Sequence, residues 1–263
     1  MTNLTDELSA ATRTIHGISD KLVNLKLAVA LTEKELYGRA LMLFYYIYVQ
    51  LESTIQRHKT HKAFSGLYEL FDEFARADGI AKDLYFYLGE NWMSKYQPTP
   101  AVHDYVKHLQ ELEKKDPILV LPYFYHMYMA MLAGGMIIKK MVQRSFTLPE
   151  KQGLNSFSYH VENPKVTSSN LIVQMYSQSL YVWQTLCKSI KDKINAVPHD
   201  AETKKLLLVE SVTCFKRNNQ VVRSLDGAGR RLFTFLLKWT IVLGLFIAVS
   251  LLWVIYEHPD AIS

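Results

Sequence analysis

The sequence is poor in the features that most readily disclose a function. Its 263 residues contain two cysteines, Cys187 and Cys214, with no CxxC and no metal-ligand spacing. That sets aside a disulfide scaffold, a zinc knuckle and a dithiol centre, and a reduced, cytosol-facing domain is expected. There is no P-loop, GxGxxG, HExxH or nucleophile elbow, so the motif-bearing nucleotide, zinc-hydrolase and serine-hydrolase classes fall away. No stretch alternates apolar and polar residues with period two, and no internal repeat recurs. Charged residues are only 21%, so disorder is not the default. The net charge of +5 is scattered among acids. This argues against nucleic acid as a partner and leaves contact with an acidic surface. Asp6 and Glu7 stand in the first ten residues without an apolar run, so no signal peptide is expected there.

What is present is apolar surface with helical spacing. Hydrophobic residues make up 49% of the chain, enough for one large core. Near the far end, Trp239 to Tyr256 (WTIVLGLFIAVSLLWVIY) carries no charge, and Leu232 to Leu237 extends it past Lys238. Such a run can cross about 30 Å of hydrocarbon. Tryptophans near both ends suit the interface, and Arg230, Arg231 and Lys238 on one flank keep that side cytosolic. The expected layout is a helical domain over 1–225, a linker over 226–231, a transmembrane tail anchor over 232–256 and a short luminal tail over 257–263.

Along the domain the spacing predicts only helices, hence an all-α fold. Thr5 is read as an N-cap, with Leu8, Ala11, Ile15 and Leu22 as a buried face. His16 lies near that face, between Arg13 and Asp20 on adjoining turns. Thr32 and Glu35 read as a capping box opening a second, aromatic-rich helix. His58 and His61 (HKTH) are taken as solvated. Gly66–Ala77 and Ile80–Leu88 read as short helices parted by Asp78-Gly79, followed by a GENW turn. Pro98 opens another helix, which Asp116-Pro117 ends. Thr147 to Asn170 reads as a surface excursion, and Ser169–Val197 and Ala201–Leu225 as the last two helices.

The stretch Tyr123 to Lys140 (YFYHMYMAMLAGGMIIKK) organises the rest. Gly134 and Gly135 sit side by side in it, and each glycine inside a helix costs about 0.8–1 kcal/mol relative to alanine. A tight helix crossing explains the pair, and so does a backbone that bends or lies close to something bulky. Tyr125, Tyr128, Met129, Met131, Leu132 and Met136 surround it as a soft lining suited to a flat ligand. A helix bearing one histidine and a glycine-marked apolar helix together suit an iron porphyrin with one axial imidazole. His16 is the candidate ligand, with Asp20 able to hold its second ring nitrogen; His126 is the internal rival.

The motifs ATRTIHGISD, FYYIYVQLE, LGENW, QPTPAVHDYVKHLQEL and YHMYMAMLAGGMIIKK together resemble the eukaryotic, membrane-anchored heme oxygenases, over Leu4 to Leu225. The resemblance implies that His16 is the proximal ligand and that Gly134 and Gly135 are distal glycines over the porphyrin. Arg13 takes the position of a propionate-facing basic residue, Tyr125 that of a pocket tyrosine, and Phe215 and Asn218 that of a late-helix wall. It further implies conversion of heme, as substrate and cofactor, to biliverdin, CO and ferrous iron. O2 and electrons from NADPH–cytochrome P450 reductase would be consumed, at the cytosolic face of the endoplasmic reticulum membrane. Several positions depart from the family. Met131 stands where an aspartate orders the distal water, and Ala133 where a serine is usual. Ser9 replaces a lysine, and Val173 and Ser177 stand where propionate-binding cations align. Altered regioselectivity is expected from Met131. The other reading is a protein that stores, senses or delivers heme without degrading it.

Overall fold

The computed structural model describes residues 3–149, 152–158, 184–225, 237 and 239–250. The chain divides into two compact units, Met1–Leu225 and Asp226–Ser263. In the first, the elements are α1 (Leu4–Ala30), α2 (Lys34–Arg57), two single turns α3 (Ser65–Tyr68) and α4 (Phe71–Phe74), and α5 (Ala77–Leu88). There follow a short α6 (Trp92–Lys95), α7 (Pro100–Lys115), a 3₁₀ turn (Pro117–Val120) and α8 (Leu121–Ser145). A second 3₁₀ turn (Asn155–Phe157), α9 (184–195) and α10 (Ala201–Arg223) complete the described elements of the unit. No strand occurs among the described residues, as the absence of period-two runs leads one to expect.

The first half of α8 is the core. Every residue from Leu121 to Tyr128 is buried, and its aromatics build a cluster at contact distance. The Phe124 and Tyr128 rings stack at 4.3 Å, and Phe74 of α4 meets both edge-on at 4.9 Å. Offset and edge-to-face arrangements are those the ring quadrupole favours. Tyr128 therefore belongs to this cluster and not to a ligand lining, because its hydroxyl is spent on Glu52 of α2, 3.0 Å away.

Glu52 is a buried carboxylate with a structural task. It accepts from the backbone N–H of Arg76 at 2.6 Å and of Ala77 at 3.0 Å, the open end of α5. Burial raises the Glu52 carboxyl, and these donors offset only part of that rise. The Arg76 side chain turns back to the carbonyls of Phe74 (2.7 Å) and Glu73 (3.1 Å), and reaches across to that of Ser158.

That last contact leads to a strap, residues 152–158, lying over α5. Within the surface excursion expected over Thr147 to Asn170, this stretch is pinned down, with Ser156 and Phe157 buried; residues 159–170 lie outside the described residues. Asp83 of α5, fully buried, accepts from Asn155 N, Asn155 Nδ2 and Ser156 N at 2.8 Å each, and from Ser156 Oγ at 2.6 Å. Tyr87 donates to the carbonyl of Gly153 at 2.8 Å. The strap also explains Gly79. No break falls at Asp78-Gly79, because α5 runs through both. A Cβ on Gly79 would lie 2.8 Å from the Asn155 carbonyl oxygen, so glycine is there for close approach and not for a turn.

Three local expectations are corrected in the same way. Thr5 lies inside α1 beyond the Asn3 N-cap, because its buried N–H is bound by Asn195 of α9. Thr32 forms no capping box; its hydroxyl donates to Val29 at the end of α1, and Glu33 is the N-cap of α2. His58 is not simply solvated: Nε2 pairs with Glu113 at 3.0 Å, beside an Arg57–Glu113 contact at 2.8 Å.

In the second unit, Trp239–Ser250 is an apolar helix. Its side chains are well exposed, from 50% at Ile247 to 70% at Phe246. Among the described residues, the helix long and apolar enough to cross a membrane is Pro117–Ser145, and it is mostly buried within the protein.

Candidate functional site

α1 buries its ends and leaves its middle open. Leu4, Thr5, Leu8 and Thr12 are covered at one end and Val29 and Ala30 at the other, with Ser19 the one buried residue between. Ile18 and Leu25 are half exposed. His16 stands on this open stretch, its side chain 57% exposed, which corrects the buried face expected from Leu8, Ala11, Ile15 and Leu22. The apolar period is real, but Ala11 is exposed and Ile15 and Leu22 are only half-buried. α10 covers the first turns, where Lys204 pairs with Glu7 at 3.1 Å.

The His16 ring is nonetheless oriented. Its Nδ1 lies 2.9 Å from Asp20 Oδ2, four residues on, and the ring meets Phe215 of α10 at 5.4 Å between centroids. A carboxylate on Nδ1 selects the tautomer that leaves the Nε2 lone pair available to a ligand. Arg13, one turn before, is exposed, and no carboxylate pairs with it among the described residues.

His126 has a different environment. It is buried on α8, its ring 4.8 Å from Phe215 on the edge, and its Nε2 is hydrogen-bonded to Ser211 Oγ of α10. Burial, with the nearby His16 second, drives its pKa down to about 3. The nitrogen that a ligand would need is thus engaged, and His16 is the open imidazole of the two. Since an unfolded His126 binds a proton near pH 6.5 and the folded one does not, its contribution to stability is intact above pH 6.5. It is lost as pH falls from there toward 3, by up to about 1.4 kcal/mol per pH unit. Between pH 6 and 4 the urea midpoint should fall with a slope that His126→Gln flattens; an identical slope in the variant would contradict this assignment.

Tyr125 is tied to α1. Ser9 donates to the carbonyl of Thr5 at 2.9 Å, and a hydroxyl has one proton. Its 2.9 Å bond with Tyr125 must therefore be donated by the phenol. Serine here fastens α8 to α1 through a buried tyrosine.

The two glycines do different things. α8 runs unbroken through them. A Cβ on Gly134 would meet nothing within 4 Å, whereas one on Gly135 would lie 3.2 Å from Phe157 and 3.6 Å from the Met131 sulfur. Gly134 borders open space, and Gly135 receives the ring that the strap delivers. Met131 itself is half-buried and offers a thioether, a weak acceptor with no proton. On α10, one turn past Cys214, Asn218 donates to that sulfur at 3.6 Å while its buried Oδ1 has no partner among the described residues. An orphaned acceptor beside Phe215 is a place where a ligand or water can donate.

Val173 and Ser177 lie outside the described residues. Among those described, no three His, Cys, Asp or Glu side chains gather to hold a bare metal ion. Sequence reading missed Phe157, Ser211 and Asp83. Only Asp83 left a signal, as an acid on the same helical side as Ile80, Leu84 and Tyr87.

In sequence and in fold the chain is similar to known proteins. The family model described as Heme oxygenase matches residues 2–224. Heme oxygenase 2 of Oryctolagus cuniculus is 29% identical over 233 residues, covering 87% of this chain and 68% of that protein. Heme oxygenase 2 of Synechocystis sp. is 27% identical over 227 residues, covering 86% and 84%. Among solved structures, heme oxygenase 2 from Chlamydomonas reinhardtii without heme superposes with a TM-score of 0.74 at 29% identity, over 86% of this chain and 98% of that one. Heme oxygenase-2 from Synechocystis in complex with heme and NO gives 0.71 at 25% identity, over 85% of each.

Proposed function

This chain belongs to the heme oxygenase family, and from that premise we propose that it binds heme through His16 and cleaves it oxidatively. The products would be biliverdin, CO and ferrous iron, formed with O2 and electrons passed from NADPH by cytochrome P450 reductase. The observation that carries the reading is the His16 imidazole, held at Nδ1 by Asp20 and without an Nε2 partner among the described residues, on an open stretch of α1. The donor set fits the substrate: one imidazole for iron, an arginine with no carboxylate partner among the described residues for an anionic propionate, and a glycine-bordered space for a flat macrocycle. Bound heme would supply the redox-active iron and be the molecule consumed.

The protein's own residues have separable tasks. His16 ligates, and Asp20 fixes its tautomer. Arg13 neutralises a carboxylate of the substrate. Tyr125 keeps α8 at a set distance from α1, and Gly134 leaves the porphyrin face uncluttered. Met131 supplies no proton and no carboxylate, so water beside the reacting edge is weakly ordered, and attack is spread over more than one meso carbon. Single turnover of heme-loaded protein with the reductase should give mixed biliverdin isomers. Met131→Asp should narrow them to one, since aspartate is shorter and can bind waters in the room it frees. Heme recovered intact would leave a storage or delivery protein as the better reading, and one pure isomer from the natural protein would sink the role given to Met131.

The membrane-anchored type belongs to the same proposal. A helix of exposed apolar side chains over 239–250 supports an anchor at 232–256 that holds the domain at the cytosolic face of the endoplasmic reticulum. The full chain should float with phospholipid vesicles, and a chain cut before Leu232 should stay in solution with its helicity and heme binding unchanged. Aggregation and helix loss in the cut chain would show that the segment packs against protein.

A further inference from the structure

One buried cluster has no task in heme binding. Cys214, fully buried on α10, adjoins Phe215 in sequence and receives the hydrogen bond of Asn218. The Tyr105 hydroxyl of α7 lies 3.4 Å from its sulfur. Tyr105 meets Tyr123 of α8 at 5.7 Å between ring centroids. The Tyr123 hydroxyl donates to Glu210 Oε2 at 2.6 Å and lies 2.8 Å from His108 Nε2, and those two pair with each other at 3.0 Å. His108 and Glu210 are 17% and 16% exposed, so the chain of contacts ends at solvent. Each group from Cys214 to Tyr123 is oxidisable by one electron, and the last phenol has a proton acceptor at short range.

We propose that Cys214, Tyr105 and Tyr123 form a relay that carries oxidising equivalents from the heme site to the surface at His108 and Glu210. The relay rests on the heme-binding reading above and adds a protective function to it. Its step balances as follows. An electron leaves Tyr123 through Tyr105 and Cys214 toward the site, and the phenol proton passes to Glu210 or His108. A neutral tyrosyl radical remains. A peroxide at the site is the oxidant: hydrogen peroxide takes up two protons from solvent and two electrons, which arrive one after the other through the relay, to give two waters. A soluble one-electron donor such as ascorbate then returns an electron and a proton to the radical. Burial and the Glu210 hydrogen bond hold the Tyr123 phenol protonated. Burial alone would raise the Glu210 carboxyl, but His108 and Tyr123 outweigh it and hold it below its ordinary value. The acceptor is therefore a carboxylate when the phenol is oxidised.

The full chain, loaded with ferric heme and monitored by its Soret band, would be mixed with hydrogen peroxide and freeze-quenched for electron paramagnetic resonance. A tyrosyl signal that narrows on tyrosine ring deuteration is expected. It should fall at least fivefold in the Tyr105→Phe/Tyr123→Phe double variant, while the Soret band on heme addition is unchanged. Heme bleaching by peroxide should be faster in that variant, and added ascorbate should slow bleaching only in the natural protein. Phenylalanine keeps both rings and leaves Glu210 paired with His108, so the variant should fold. An equal radical yield in the double variant, or no tyrosyl signal at all from a protein with a normal Soret band, overturns the relay and leaves heme binding standing. Failure to form a Soret band removes the premise, and the relay with it.

Discussion

His16→Ala should remove the axial nitrogen and with it the six-coordinate ferric spectrum, lowering heme affinity by at least about tenfold, or ~1.4 kcal/mol. Added imidazole should restore the spectrum, since a soluble ring can occupy the space the side chain vacates. Asp20→Ala should act in the same direction but more weakly, because it frees the ring to rotate and change tautomer without removing it. His126→Gln should leave the spectrum alone, its Nε2 being bound to Ser211. An unchanged absorption spectrum in His16→Ala, titrated with heme under the same conditions, would rule out His16 as the ligand.

Asp83→Ala should be the most destabilising single change in the strap region, by about 3–5 kcal/mol in urea denaturation. One buried carboxylate there serves four donors. Removing it strands Ser156 N and Oγ without water, and each buried donor left unpaired costs about 1–3 kcal/mol. Asp83→Asn should cost less, since its amide keeps one accepting oxygen. A second consequence reaches the candidate site. With the strap loosened, Phe157 no longer presses on Gly135, and heme release should quicken in stopped-flow capture by apomyoglobin. A loss of stability under about 1 kcal/mol would mean that the strap is held by Arg76 and Tyr87 instead.

How far the sequence could be read depended on whether a pattern was local. The helices α1, α2, α7, α8 and α10 follow from apolar spacing and from Asp116-Pro117, since both act within a few residues. Gly79 and Thr32 were misread for the converse reason. Each has a partner set by tertiary contact, the Asn155 carbonyl in one case and the end of α1 in the other. At the site, the i,i+4 relation of His16 and Asp20 was visible because a helix turn creates it. The openness of α1 around His16 was not, because burial depends on which helix crosses where. Ser211 opposite His126 and Phe157 opposite Gly135 lie 85 and 22 positions apart in the chain, and nothing in the intervening residues announces either pairing.

The strap has a bearing on the lifetime of the folded state. Asp83 and Asn155 are 72 residues apart, so their contact closes a loop whose entropy must be lost before the hydrogen bonds form. The helix α5 can form and pack on α2 first, with the strap docking after the folding barrier is crossed. Contacts absent from the transition state change the rate of escape from the native basin and not the rate of arrival. In a chevron plot, weakening the Asp83 clamp should therefore steepen nothing and leave the folding limb in place, while raising the unfolding limb by nearly the whole equilibrium loss. The four hydrogen bonds on one carboxylate then act as a latch on duration: they set how long α8 stays braced, and so how long the folded protein resists proteolysis.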